Sequence, residues 1–218
     1  TYNRAEMLEE CLQSVLLQTA RPYEVVVTDD ASTDRTAAVL AKYNQVHSYR
    51  QPNNTGGVPN WNAAMAQTSG DIIAWCSDDD RFLPNHLQAS TEYLMHHPHV
   101  GLVHSGFVDC LEGSSVKLVP RPLRADAPVL LDRSNWFPYF RRYYNWPFHP
   151  STLVMRREVW ERTGPFDPQY AFADTDWFLR ALSTTTAALL PRYGVLSRRH
   201  RGNWSNRLGS EQIGRAHV

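Results

Sequence analysis

The chain has little that would commit it to a charged surface or a membrane. Lys+Arg and Asp+Glu are equal at 22 each over 218 residues, so no global field draws it to nucleic acid or anionic lipid. No apolar run approaches the length of a membrane span, and no signal peptide is visible. Attachment to a membrane through segments outside this sequence is left open. Cysteine is scarce: Cys11, Cys76 and Cys110 form an odd, widely spaced set without metal-ligand spacing. That set reads as reduced thiols in a cytoplasmic protein. Lysine is nearly absent, with Lys42 and Lys117 as the only two. The arginine that stands in its place suits diphosphate recognition, and equally a GC-rich genome. Internal repeats and low-complexity tracts are missing as well.

What is present is enough chain for one domain with a real core. Leu8, Cys11, Leu12, Val15 and Leu16 follow the i, i+3, i+4, i+7 stripe of a helix packed on one face. Asn3 is expected to cap that helix, with Glu6 three residues on. Short apolar strands are expected over 23–28, 46–50 and 71–76, and helices over 32–43, 60–68 and 84–96. Alternation of this kind over 1–108 indicates an α/β fold, with a mainly parallel central sheet flanked by helices. From Asp109 to Pro150 the texture turns to Pro, Arg and aromatics, as in an acceptor-side insert. Regularity returns with a strand at 151–155, a helix at 157–162 and another from about 175 to 182. The expected organisation is an α/β half at 1–108, a second half at 109–205, and a tail at 206–218.

Both ends read as cut. Thr1 opens directly before a helix, without the strand expected to feed it. Ile213-Gly214-Arg215-Ala216-His217-Val218 can be back-translated into a sequencing-adapter read, and read-through is the expectation for it.

Three acidic positions carry the chemistry. Ser77-Asp78-Asp79-Asp80 follows the apolar stretch Ile72–Cys76. Three carboxylates in a row repel one another, so they belong where water or a cation screens them. Alone, the run reads as a solvated turn. Asp29-Asp30 ends the strand Val25-Val26-Val27, and in a parallel sheet the two clusters share one rim, where open α/β sheets place ligands. A turn role for Asp30 is the alternative. Asp174 and Asp176 stand two apart in Phe172-Ala173-Asp174-Thr175-Asp176-Trp177, so on a helix they cannot face one cleft. Asp174 falls at the helix start, as an N-cap or as a carboxylate held at a helix mouth.

With these segments in place the chain resembles the family 2 inverting glycosyltransferases of the GT-A fold. The resemblance covers most of residues 1–205. It rests on Thr1-Tyr2-Asn3-Arg4, Ser14–Thr19, Val26–Asp34, Asn54-Thr55-Gly56-Gly57, Ser69–Ala74 and Ser77-Asp78-Asp79-Asp80 leading to Leu83-Pro84. Gly164-Pro165-Phe166-Asp167, Asp174-Thr175-Asp176 and His200-Arg201-Gly202-Asn203-Trp204-Ser205 complete it. Each motif is weak singly, and their shared order is what makes the signal specific.

The resemblance implies a GT-A nucleotide-diphospho-sugar transferase fold whose first strand is missing here, with 1–108 as the nucleotide-sugar-binding half and 109–205 as the acceptor-side half that carries the catalytic base. It places Tyr2 beside the nucleotide base and Asp30 as acceptor of the uracil N3–H. Gly57 and Asp78 join the nucleotide-binding set. Asp79 is implied as the main ligand of Mg²⁺ or Mn²⁺, with Asp78 and His200 beside it, and Asp174 as the catalytic base. His200 as an ordinary surface histidine is the alternative. Two positions depart from the pattern. Ser77 stands where many relatives carry the first Asp of the Asp-x-Asp motif. Trp61 lies near where an arginine is common, a role open to Arg4 or to one of Arg198 and Arg199.

The expected activity is transfer of a sugar from a nucleotide-sugar donor to a glycan, lipid-linked or other hydroxyl acceptor, with no nucleic-acid partner. UDP or dTDP is favoured because both bases carry N3–H. The expected setting is cell-surface polysaccharide or glycan synthesis in the cytoplasm, or at the inner face of its membrane. A nucleotidyltransferase and a non-catalytic nucleotide- or carbohydrate-binding module are the rival readings.

Overall fold

The structure is a computed structural model that describes residues 1–111, 116–121, 123, 125–143, 148–200 and 202–203. The sequence's proposed tail at 206–218 lies outside the described residues.

Helix α1 (Ala5–Leu16) buries Ala5, Leu8, Cys11, Leu12 and Val15, the stripe legible in the sequence. Its cap is a correction to the expected Asn3. Asn3 adopts a left-handed backbone with φ 51°, a conformation asparagine tolerates because its short polar side chain bonds locally. Its Oδ1 accepts from the backbone N–H of Thr33 at 2.7 Å and of Asp34 at 3.2 Å. Asp34 returns the favour by accepting from the Ala5 N–H at 3.1 Å. The helix start and the turn after the first strand therefore satisfy each other's orphan amides.

Strand β1 (Val25–Asp29) pairs in parallel with β2 (Val46–Arg50), with Val25 opposite Val46. Between them α2 spans only Thr36–Leu40. It ends early because Lys42 and Tyr43 bond back three residues, to Val39 and Leu40, in tighter turns. Thr1 extends this unit: its ammonium donates to the Thr28 carbonyl at 2.7 Å, and the Asp30 N–H donates to the Thr1 carbonyl at 2.9 Å. That is the bonding of a parallel bridge.

Helix α3 (Gly57–Ala66) leads to β3 (Ile72–Ala74), then β4 (Arg81–Phe82), α4 (His86–His96) and the long β5 (Val100–Leu111). β6 (Lys117–Pro120), β7 (Val129–Leu131) and α5 (Trp136–Tyr143) follow. A 3-10 turn at Pro150–Thr152 enters β8 (Leu153–Arg156), α6 (Arg157–Thr163), α7 (Ala173–Leu182) and β9 (Thr186–Arg199).

The α/β architecture is the expected one, and its larger sheet is mixed. Its order is β3-β8-β5-β9-β4, with β6 on β5 and β7 on β9. β5 and β9 run parallel, while β3–β8, β5–β8 and β4–β9 are antiparallel. The late strands β8 and β9 interleave with the early ones, and β5 itself crosses the 108/109 boundary. The two proposed halves thus share one sheet. Trp177, Phe178, Ala181 and Leu182 of α7 pack with Leu153, Met155, Val159 and Phe166 in the largest core cluster. This burial fixes α7, and Asp174 with it, against the sheet. Gly194 is required by close packing: a Cβ there would lie 2.3 Å from His86 Nδ1 and 2.4 Å from Ser105 Oγ.

Candidate active site

The acidic run leaves β3 and is tied down at both ends. Ser77 N–H donates to Ser151 Oγ at 3.0 Å, and Asp80 N–H closes a turn onto the Ser77 carbonyl at 3.0 Å. The three carboxylates then diverge. Asp78 Oδ1 accepts from Arg4 Nη1 at 2.8 Å. Asp79 Oδ2 accepts from Arg4 Nη1 at 3.1 Å and Asn203 Nδ2 at 3.3 Å, and lies 3.1 Å from His200 Nε2. Asp80 points inward, accepting from Ser151 Oγ at 2.5 Å and from the Arg198 N–H at 3.1 Å.

These different partners separate their acidities. Burial raises the Asp78 carboxyl, and the Arg4 guanidinium beside it pulls it down. Asp79 is raised by burial and by its neighbours Asp80 and Asp78, against the pull of Arg4 and His200. Burial pushes Asp80 up to about 6. Carboxylates this close share one field, so adjacent groups cannot ionise with equal ease.

The neighbouring rim is built around Asp30, which is buried. Thr55 donates through its N–H at 2.7 Å and its hydroxyl at 2.9 Å to Asp30 Oδ1, and the Gly56 N–H donates to Oδ2 at 2.8 Å. Asp30 therefore anchors the loop before α3, where Gly56 takes φ 90° and Gly57 starts the helix. A carboxylate has about four lone-pair sites, so Oδ2 retains capacity for one more donor. Asp29 turns elsewhere, accepting from the Ser32 N–H at 2.9 Å and from Arg50 at 2.7 Å. Tyr2 follows Thr1 in the chain, with its side chain exposed. Thr1 connects the two clusters, since its carbonyl accepts from the Asp30 N–H and its side chain lowers the Asp78 carboxyl.

Asp174 is the second residue of α7, and the cap position belongs to Phe172. An N-cap role for Asp174 is thereby corrected. It sits in the first turn, where the helix dipole favours negative charge. Burial nevertheless raises its carboxyl, while its bond to the Thr175 N–H and the nearby His149 pull it down. Asp176 faces away and pairs with Arg180 at 2.8 Å, as the helical spacing predicts.

Among the arginines weighed for the position near Trp61, Arg4 donates to Asp78 and Asp79 of the acidic run and to the Gly202 carbonyl at 3.0 Å. Arg198 pairs with Glu10, and Arg199 with Asp109 at 2.6 Å. Trp61 packs edge-on against Trp75, with ring centroids 5.1 Å apart, and against Phe166 at 6.0 Å.

His149 and Ser151 were missed by sequence reasoning. The only signal for them is a pair of polar side chains just before the buried strand β8. No group of three or more His, Cys, Asp or Glu side chains is arranged to hold a metal among the described residues. One observation does fit a hard cation: Asp78 Oδ2 is buried and makes no hydrogen bond of sound geometry, although the Thr1 side chain is near enough to lower its carboxyl. An unspent carboxylate oxygen beside Asp79 is the donor type that Mg²⁺ and Mn²⁺ prefer.

The family model described as "Glycosyl transferase family 2" matches residues 1–163, and the chain belongs to that family. It is 30% identical over 179 residues to the uncharacterized glycosyltransferase alr2836 of Nostoc sp., covering 77% of this chain and 52% of that protein. The fold is similar to residues 1–349 of S. aureus TarS in complex with UDP-GlcNAc, with TM-score 0.76 and 21% identity, covering 95% of this chain and 59% of that one. It is also similar to the mannosyltransferase PcManGT of Pyrobaculum calidifontis in complex with GDP-Man and Mn²⁺, with TM-score 0.67 and 22% identity, covering 93% and 56%. This chain thus spans little more than half the length of each. No helix among the described residues is long and apolar enough to cross a membrane.

Proposed function

We propose that this chain transfers a sugar from a UDP- or dTDP-linked donor to an acceptor hydroxyl, with inversion at the anomeric carbon. The observation that carries this reading is the meeting of Asp78, Asp79, Arg4 and His200 at one rim. Asp30 and its glycine loop flank that rim, and Asp174 stands at the mouth of α7. Tyr2, Asp30 and Gly57 take the nucleoside, with the free capacity of Asp30 Oδ2 meeting a base N3–H. Asp79, Asp78 and His200 would hold Mg²⁺ or Mn²⁺, whose charge offsets that of the leaving diphosphate. The UDP-GlcNAc bound by TarS and the GDP-Man and Mn²⁺ bound by PcManGT support this set as a class.

Asp174 takes the acceptor proton as the hydroxyl attacks from the face opposite the diphosphate. Its raised carboxyl brings it closer to the pH at which a general base works best. The acceptor is a glycan, a lipid-linked sugar or another hydroxyl compound, met in the cytoplasm or at the inner membrane face. Incubation with Mn²⁺ and a panel of nucleotide sugars tests the reading. Release of nucleoside diphosphate with sugar transfer is expected. Pyrophosphate release would instead indicate a nucleotidyltransferase, and binding without turnover a non-catalytic module.

A further inference from the structure

Below the acidic rim runs a buried polar chain that none of the proposed roles uses. Ser197 Oγ lies 2.9 Å from His149 Nε2. On the other side of the ring, His149 Nδ1 is 3.7 Å from Asp80 Oδ2, the oxygen that Ser151 also bonds at 2.5 Å. Ser151 in turn accepts from the Ser77 N–H. The chain therefore reads Ser77, Ser151, Asp80, His149, Ser197. It begins at the first residue of the acidic run and ends on β9, three residues before His200.

The ring is held from its other sides. Phe107 packs on it with centroids 4.9 Å apart. The His149 carbonyl accepts from the Thr152 N–H at 2.9 Å and hydroxyl at 2.7 Å. His149 Nδ1 is sealed from solvent and makes no hydrogen bond. A lone pair facing the Asp80 carboxylate would be repelled, so the carboxylate selects the Nδ1–H tautomer. The Ser197 hydroxyl then donates to Nε2.

We infer that His149 is a positioning residue: it clamps the acidic run to the end of β9, and so sets Asp79 and His200 at their mutual distance. Two segments 121 positions apart meet at that pair. Below the rim the β4–β9 pairing of Arg81 with Leu196 and the Arg198 N–H to Asp80 already join them through the backbone. The His149 ring, lodged between Asp80 and Ser197, adds the side-chain contact that limits rotation of the run about that anchor. The functional half of the inference rests on the proposed role of Asp79 in cation-dependent nucleotide binding.

Two substitutions divide the ring's two contacts. His149→Asn places an amide near the Nδ1 position and keeps a donor toward Asp80. His149→Gln reaches toward Ser197 and loses that donor. Hydrogen exchange of the ligand-free protein reads positioning directly, and calorimetry of UDP with Mn²⁺ reads its consequence. In His149→Gln, amides of the 77–80 run are expected to lose protection and UDP affinity to fall about 10–100-fold, the usual cost of losing such an outer partner. His149→Asn loses the Ser197 end instead and should loosen the same amides, because the clamp needs both ends. A purely structural role would spread the loss of protection through β8 and β9 in step with melting temperature, rather than confine it to the run. Unchanged exchange of the 77–80 amides in either variant, or loss spread in that way, overturns the inference. Should His149→Gln fail to fold, Ser197→Ala frees the ring from its other side and is expected to loosen the same amides; unchanged exchange there is equally fatal. Wild type that binds no UDP would remove the donor assignment, while the exchange data still decide the clamp.

Discussion

His200 Nε2 lies 3.1 Å from Asp79 Oδ2, bringing the end of β9 onto the acidic run. Arg4, from the start of the chain, reaches the same oxygen at 3.1 Å. Asp79 is thus the point where both ends of the described fold converge. Asp79→Ala is expected to abolish the Mn²⁺-dependent part of UDP binding, leaving the metal-free affinity as it was. Calorimetric titration with and without Mn²⁺ checks this, and an unchanged metal-dependent increment would remove Asp79 from the cation site.

Asp174→Asn separates chemistry from binding. A general base commonly contributes ~10²–10⁴-fold, so kcat should fall by about that factor while the Kd for UDP stays within about twofold. Because burial raises the Asp174 carboxyl, the acid limb of the kcat/KM profile should lie above the ordinary aspartate value. Activity is then lost as pH falls through that raised value. Steady-state kinetics across pH gives both readouts, and normal turnover by the variant would discard the assignment.

Acid should unfold this protein early. Burial lowers His86 and His149 to about 4 and His104 to about 3. These groups stay neutral in the fold but take up protons when unfolded, from about pH 6.5 downward. Their contribution is present above that pH and is lost as pH falls toward the folded values. Asp80, raised to about 6, works the other way by binding its proton first in the folded state. For these four groups the difference near pH 5 is about two protons, or about 3 kcal/mol of stability per pH unit, which the raised Asp79 and Asp174 carboxyls reduce. Denaturant midpoints at several pH values measure that slope. His104→Gln should reduce it by about half; an unchanged slope would mean that His104 is protonated in the fold.

Asp30 has a structural duty that can be separated from its proposed nucleotide contact. Asp30→Ala leaves the Thr55 and Gly56 donors without their acceptor, at a cost of about 1–3 kcal/mol. Asp30→Asn keeps one acceptor oxygen and should cost less stability, yet weaken UDP binding. Urea denaturation paired with nucleotide titration distinguishes the two effects. Equal nucleotide affinity in wild type and Asp30→Asn would count against a base contact.

Local signals carried far in this sequence, and long-range ones did not. The α1 stripe, the β1 and β2 strands and the acidic run after β3 were legible because periodicity and strand ends are properties of neighbouring residues. Asn3 was misassigned because its partners, Thr33 and Asp34, are about 30 positions away. The interleaving of β8 between β3 and β5 depends on pairings such as Ile72 with Arg156, which no local pattern encodes. His149 escaped notice for the same reason: its chemistry comes from Asp80 and Ser197, and both are remote in sequence.

The most direct measurement is the anomeric configuration of the product, read by NMR immediately after transfer with Mn²⁺ and the donor that the panel selects. Wild type is expected to yield the sugar in the configuration opposite to that of the donor, and Asp174→Asn to yield almost none. A product that retains the donor's configuration, or an Asp174→Asn enzyme that transfers as wild type does, would contradict direct displacement assisted by Asp174.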